Sequence, residues 1–173
     1  MGKTWGMVES GYRQLIVMRH AKTEQTAGSD RLRRLTSRGR ADAKAAGRWL
    51  DDHDLAPDLV LSSPAARARE TADIVAAALG GEPEIRTVDS LYGADADDVV
   101  ELVGLAGSNI RIILVAGHNP TMGELAHRLQ RDAADPWAPH LPTAGLAILS
   151  VPGDWADLTL GSTELTHWHV PRG

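Results

Sequence analysis

The chain has no cysteine among its 173 residues, which excludes disulfides, thiolate metal sites and cysteine nucleophiles. It has no apolar run near the roughly 20 residues that a membrane span needs. It lacks a positive balance: the net charge is −5, and a nucleic acid or an anionic membrane surface rewards the opposite sign. Any positive pocket is therefore a local feature of an acidic protein. No Gly-rich fingerprint follows the first apolar strand, which argues against a dinucleotide-binding domain. No repeat and no low-complexity stretch interrupts the sequence. The first dozen residues, MGKTWGMVESGY, have neither the basic start nor the long apolar core of a signal peptide. Residues 1–12 are expected to be a loose leader, residues 13–173 a single catalytic domain, and the protein cytoplasmic.

What is present is ordinary globular composition, 43% hydrophobic and 24% charged, in a chain long enough for one core. Short apolar strands alternate with helical periodicity. Leu15 to Met18, Leu59 to Leu61, Ile110 to Val115 and Leu146 to Val151 suit buried strands. Ile85 to Val88 suits a weaker one, and Asp157–Leu160 and Thr166–Val170 suit edge strands. Thr36 or Ser37 caps a helix with Ala41, Ala45, Ala46, Trp49 and Leu50 inward. Ser63-Pro64 and Asn119-Pro120 each read as a cap followed by proline in the first helical turn. The second of these helices runs to about Arg131. Asp95 to Ala106 forms a further helix. This alternation implies an α/β three-layer sandwich with a mostly parallel central sheet flanked by helices.

Three strands run into cationic or nucleophilic residues: Arg19-His20, the turn leading to Arg67, and Gly117-His118. Ligands of open α/β sheets bind beyond the carboxyl ends of the strands. If the three strands share a sheet, Arg19, His20, Arg67 and His118 converge. Arg67 and His118 also stand at helix starts, where unpaired N–H groups favour anions. A guanidinium offers parallel donors to phosphate oxygens. A histidine with one nitrogen held and the other free is a competent nucleophile toward phosphorus. The polar stretch from Lys22 to Arg34 is too long for an ordinary connection and is expected to line the site.

The matching stretches are Arg19-His20-Ala21-Lys22, Asp30-Arg31, Leu35-Thr36, Gly39, Ser62-Ser63-Pro64, Arg67-Ala68, Thr71-Ala72 and Gly117-His118-Asn119-Pro120. In this order the chain resembles the histidine phosphatase superfamily (phosphoglycerate-mutase-like), and most of all its small SixA-like branch. The resemblance implies a phosphatase that needs neither metal nor cofactor. It makes His20 the phosphorylated nucleophile and assigns Arg19, Arg67 and His118 to the phosphate pocket. The substrate would be a phosphorylated protein, with phosphohistidine favoured, or a small phosphorylated molecule; nucleic acid and membrane are not expected partners. An inactive phosphate-binding module is the reading from another class.

Ala21 departs from the glycine usual in the motif, a change tolerated only where the backbone keeps a negative φ. The acid that would protonate a leaving oxygen is not assigned; Glu24, Asp30 and Asp95 are the candidates. Outside this set, His167 and His169 lie on one face of a strand but lack a carboxylate for a metal. His53, His127 and His140 have no evident partner. Lys22 could lean over a phosphate, Trp137, Trp155 and Trp168 could wall a pocket, and Thr143-Ala144-Gly145 reads as a turn. The sequence sets no oligomeric state, and a monomer is the simplest expectation.

Overall fold

Alternation along the central strand sorts the core. In β1 (Tyr12–Arg19), Leu15 and Val17 join one apolar cluster and Ile16 and Met18 the other, as the two-residue period of a strand requires. A computed structural model, describing residues 12–25, 28–133 and 140–173, shows the layers on either side. The strands are β2 (Leu59–Ser62), β3 (Glu84–Thr87), β4 (Ile112–Gly117), β5 (Leu146–Pro152) and β6 (Glu164–His169). The sheet order is β3-β2-β4-β1-β5-β6. The first four are parallel, and β5 and β6 are antiparallel additions.

One face carries α1 (Ser37–Asp52) and α2 (Ala66–Ala77), the other α3 (Ala96–Gly104) and α4 (Thr121–Arg128). The expected α/β sandwich is therefore the one observed. Helices α1 and α2 approach closely at Gly47, where a Cβ would lie 2.5 Å from the Val75 carbonyl oxygen. Tyr12, the last residue of the expected leader, already pairs with Pro152; the rest of that leader lies outside the described residues.

Several local expectations are corrected. Helix α2 begins at Ala66 with Ala65 as its cap; the Ser63 hydroxyl accepts only a long bond from Ala65 N–H, at 3.4 Å, and lies 2.8 Å from His118 Nε2. Helix α4 is capped by Pro120 without a side-chain bond. The Asn119 amide is spent on the Leu141 carbonyl, 2.9 Å away. The same helix stops at Arg128, not near Arg131, because the returning chain takes its last carbonyls. Gly161 N–H donates to Arg128 O and Thr163 N–H to Leu129 O. The buried side of α1 is rotated from the expected one: Ala43, Ala46 and Leu50 are fully buried, while Ala41 and Ala45 are half-buried. Asp42 joins the buried side, held by Arg38 and by the Gly173 N–H. The expected strand Asp157–Leu160 is absent. Trp155 starts a short 3-10 helix there, buried and donating to Ile110 O at 2.8 Å.

Candidate active site

Parallel pairing of β1 with β4 sets Arg19 beside Gly117, and β2 lies on the far side of β4. All three strand ends therefore open on one point, the arrangement expected of an open α/β sheet. His20 follows the last residue of β1. Its N–H donates to Gly117 O at 2.9 Å, and its carbonyl accepts from Ala144 N–H at 3.2 Å. The Thr143-Ala144-Gly145 turn is thus the clasp that holds the His20 backbone. Ala144 adopts φ 60°, and the Gly145 N–H closes on Pro142 O at 2.8 Å.

His20 and His118 stand with ring centroids 5.3 Å apart. His20 is nearly enclosed, and its Nδ1 lies 2.8 Å from the Ala21 carbonyl oxygen. A carbonyl only accepts, so Nδ1 carries the proton and Nε2 keeps its lone pair. Burial above all, with His118, Arg67 and Arg19 adding to it against the Ala21 bond, lowers the His20 pKa to about 3. The imidazole is therefore neutral at physiological pH. Ala21 is fully buried, receives its own N–H partner in Thr71 Oγ1 at 3.0 Å, and is not among the residues with positive φ. The alanine fits for that reason.

His118 is held from the opposite nitrogen: Nε2 lies 2.8 Å from Ser63 Oγ. Burial first, then Arg67 and Arg19, bring its pKa to about 4 against the pull of Asp30. Arg67, almost wholly buried at the start of α2, donates to Asp30 O at 2.6 Å and Asp30 Oδ2 at 2.9 Å. Arg19 donates to Leu141 O at 3.1 Å. Among the described residues, Arg19 Nε, Arg67 Nε and His118 Nδ1 are buried with no partner. Buried donors are nearly always satisfied, so a cluster of three in one pocket is the mark of a site for acceptor oxygens.

The arrangement offers a neutral imidazole with a free lone pair beside two guanidinium Nε groups and a ring nitrogen that lack partners. Known proteins with this plan decide the family. The model of the histidine phosphatase superfamily (branch 1) matches residues 15–101. The chain belongs to the histidine phosphatase superfamily. An uncharacterised protein of Mycobacterium tuberculosis is 40% identical over 162 residues, covering 90% of this chain and all of the relative. The phosphohistidine phosphatase SixA of Escherichia coli is 28% identical over 118 residues, covering 67% of this chain and 73% of that protein. A solved structure of a candidate phosphohistidine phosphatase SixA from Nakamurella multipartitia superposes with a TM-score of 0.83 at 34% identity, covering 94% of this chain and 98% of the other. The chain is thus a histidine phosphatase of the SixA-like branch, a phosphatase type that needs no metal.

The three carboxylate candidates separate within this histidine phosphatase. Asp95 caps α3 in a reciprocal box with Asp98. Glu24 is exposed and offers its main-chain carbonyl to Arg33. Asp30 alone reaches the site, through Arg67. Partial burial pushes its pKa up, but hydrogen bonds from Tyr92, Arg67 and Arg33 prevail and bring it to about 2. Asp30 is therefore ionised, and its role is to hold Arg67 rather than to give a proton.

Tyr92 and Ser63 were not singled out as site residues by sequence reasoning. Tyr92 lies 3.0 Å from Asp30 Oδ2, with its ring edge-on to His118. Its only sequence signal is a lone aromatic in a polar connection. Lys22 contributes its carbonyl, which accepts from Thr36 N–H. Trp155 is core, Trp168 lies half-exposed on β6, and Trp137 falls outside the described residues. His167 and His169 do have a neighbour: His169 and His53 each stack on the Trp49 ring, at 4.3 and 4.0 Å. His53 is thus not without a partner. No metal-holding group of three or more such side chains occurs among the described residues. His140 faces Asn119, whereas His127 lies on α4 away from the strand ends.

Proposed function

We propose that residues 13–173 act as one catalytic domain that dephosphorylates phosphohistidine in proteins through a covalent phosphohistidine on His20. The observation that carries this reading is the pairing of a neutral, oriented His20 imidazole with three buried donors lacking acceptors in the same pocket. His20 Nε2 attacks phosphorus as the P–N bond of the substrate breaks, and the substrate imidazole departs with the electron pair. Water then attacks the His20 phosphoryl group, releasing inorganic phosphate and restoring the imidazole. Arg19, Arg67 and His118 hold the equatorial oxygens through both transfers, where charge stabilisation does most of the work. For His118 this requires the Ser63 hydroxyl to donate to Nε2, leaving Nδ1–H to face the phosphoryl group.

The ionised Asp30 favours a phosphoramidate over an alkyl ester. An alkoxide needs an acid to leave well. A phosphorylated imidazole instead takes its proton on the second ring nitrogen and departs neutral. The likeness to the SixA phosphohistidine phosphatase of Escherichia coli supports the same substrate class. No described helix is long and apolar enough to cross a membrane, in keeping with a cytoplasmic substrate protein.

The test is phosphate release from a histidine-phosphorylated protein and from a panel of phosphate monoesters, by wild type and by His20→Ala. Preference for phosphohistidine, lost in the variant, and label trapped on His20 are expected. Faster turnover of an ordinary ester would move the assignment to a small-molecule phosphomonoesterase. Activity on neither, with phosphate still bound, would leave an inactive binding module.

A further inference from the structure

Charge is strongly segregated in this chain. Between Arg19 and Arg48 lie nine of its 18 Lys and Arg residues and only three of its 23 acids. Those 30 residues carry +6, and the other 143 carry −11. Part of the surplus lies in the pocket, but most of it is outside. Exposed Arg31 and half-buried Arg33 flank Leu32 on the 3-10 helix Asp30–Leu32, whose Asp30 is bonded to Arg67. From there Arg34, which shares Glu70 with Arg40, leads onto α1.

On α1 it becomes a ridge. Arg40, Lys44 and Arg48 are exposed and spaced four residues apart, so they stand one above another along one helix face. Like charges at this spacing destabilise a helix. Glu70 of α2 offsets only the near end, pairing with both Arg40 and Arg34. The surface also has an apolar point: Leu32 is 71% exposed, one of the largest exposed hydrophobics in the described chain. An exposed leucine between Arg31, 3.8 Å from Asp89, and Arg33, paired with Asp30, on the segment that holds Arg67 has the form of a docking point, an apolar anchor with a charged rim.

Building on the phosphoprotein reading, we propose that Leu32 and the Arg40–Lys44–Arg48 ridge dock the substrate protein through an acidic surface beside its phosphohistidine. Charge complementarity selects this occupant. The other 143 residues carry −11 and on balance repel an acidic partner, so the flank orients the encounter as well as strengthening it. A nucleic acid fits less well. Arg34, Arg38 and Arg40 are each partly neutralised by Glu70 or Asp42, and Leu32 offers a base neither a hydrogen bond nor a stacking face. Lys44 and Arg48 lie roughly 8 and 14 Å along the helix from Gly39, at 1.5 Å per residue. The docking contact is therefore longer than the phosphoryl group itself.

The test uses two phosphohistidine peptides of equal length, one flanked by Asp and Glu and the other by Gln and Asn, with phosphoramidate as the small substrate. Wild type should show a KM on the order of tenfold lower for the acidic peptide at low ionic strength, an advantage that salt removes. Lys44→Glu/Arg48→Glu should abolish the advantage, and Leu32→Ser should reduce it, with kcat and phosphoramidate turnover unchanged in both. Equal KM values for the two peptides in wild type, or an advantage that survives the double variant, overturn the proposal. Anisotropy of the unphosphorylated acidic peptide tests docking apart from catalysis. Salt-sensitive binding lost in the double variant supports the surface even if no phosphopeptide is hydrolysed, a result that would sink only the substrate reading. Tighter binding of duplex DNA to the same residues, or self-association of the enzyme that the double variant abolishes, assigns the ridge to a different occupant and overturns it.

Discussion

His20 and His118 are the same side chain, 5.3 Å apart, held by opposite nitrogens. A backbone carbonyl fixes His20 through Nδ1, and a hydroxyl fixes His118 through Nε2. A carbonyl allows one tautomer only, which leaves His20 a permanent lone pair. A hydroxyl can give or accept, so His118 can present a proton where oxyanion charge grows. Under the proposed mechanism, the difference between nucleophile and donor is set by the partner atom, not by the residue.

Breaking the first tether group should cost most. His20→Ala should lower turnover by at least about 10⁴-fold with the fold retained, since a nucleophile has no substitute in a covalent route; steady-state kinetics alongside circular dichroism would show it. His118→Ala should cost about 10²–10³-fold, the usual effect of removing one oxyanion donor, while label still accumulates on His20. Near-equal losses in the two variants would erase the distinction. Asp30→Asn should lower kcat roughly tenfold by loosening Arg67, as expected for a hydrogen bond to a charged group, and should weaken inhibition by inorganic phosphate. Ser63→Ala should cost least, less than about tenfold, with recovery in Ser63→Thr.

Acid should unfold the protein through the same pair. Both folded pKa values, about 3 and about 4, lie below the ordinary 6.5. The unfolded chain therefore binds more protons in that interval. The stability is complete above pH 6.5 and declines as pH falls toward 4, by up to about 1.4 kcal/mol per unit for His20 and less for the more open His118. Urea titrations across this range on wild type and on His20→Asn/His118→Asn should show a flatter profile in the variant. An unchanged slope would mean that the histidines are not held neutral.

The candidate pocket residues were legible because Arg19, His20 and His118 stand at the ends of apolar strands and Arg67 in the helix start that follows one, a signal carried by nearby residues. The helix starts at Ala66 and Thr121 were not, since the Ser63 and Asn119 side chains are oriented by distant partners, His118 and Leu141. Asp30 was visible as a carboxylate, but its role depends on Arg67, Arg33 and Tyr92 meeting across the fold. The Trp49–His53–His169 stack was likewise hidden, because α1 and β6 are far apart in the chain. Local chemistry was readable in this sequence, whereas long-range competition for the same hydrogen-bonding atom was not.

The sheet order has a consequence in time. β1 is the first of the described strands to be made, yet it sits between β4 and β5, and His20 N–H is bonded to Gly117 nearly a hundred residues downstream. Closing that span comes at an entropic cost before any contact rewards it, and such non-local pairing is slow. On the ribosome His20 must wait, without Gly117 and Ala144, until the last third of this sequence has emerged. Catalytic competence is therefore among the final events of folding, and recovered turnover reports the completed sheet.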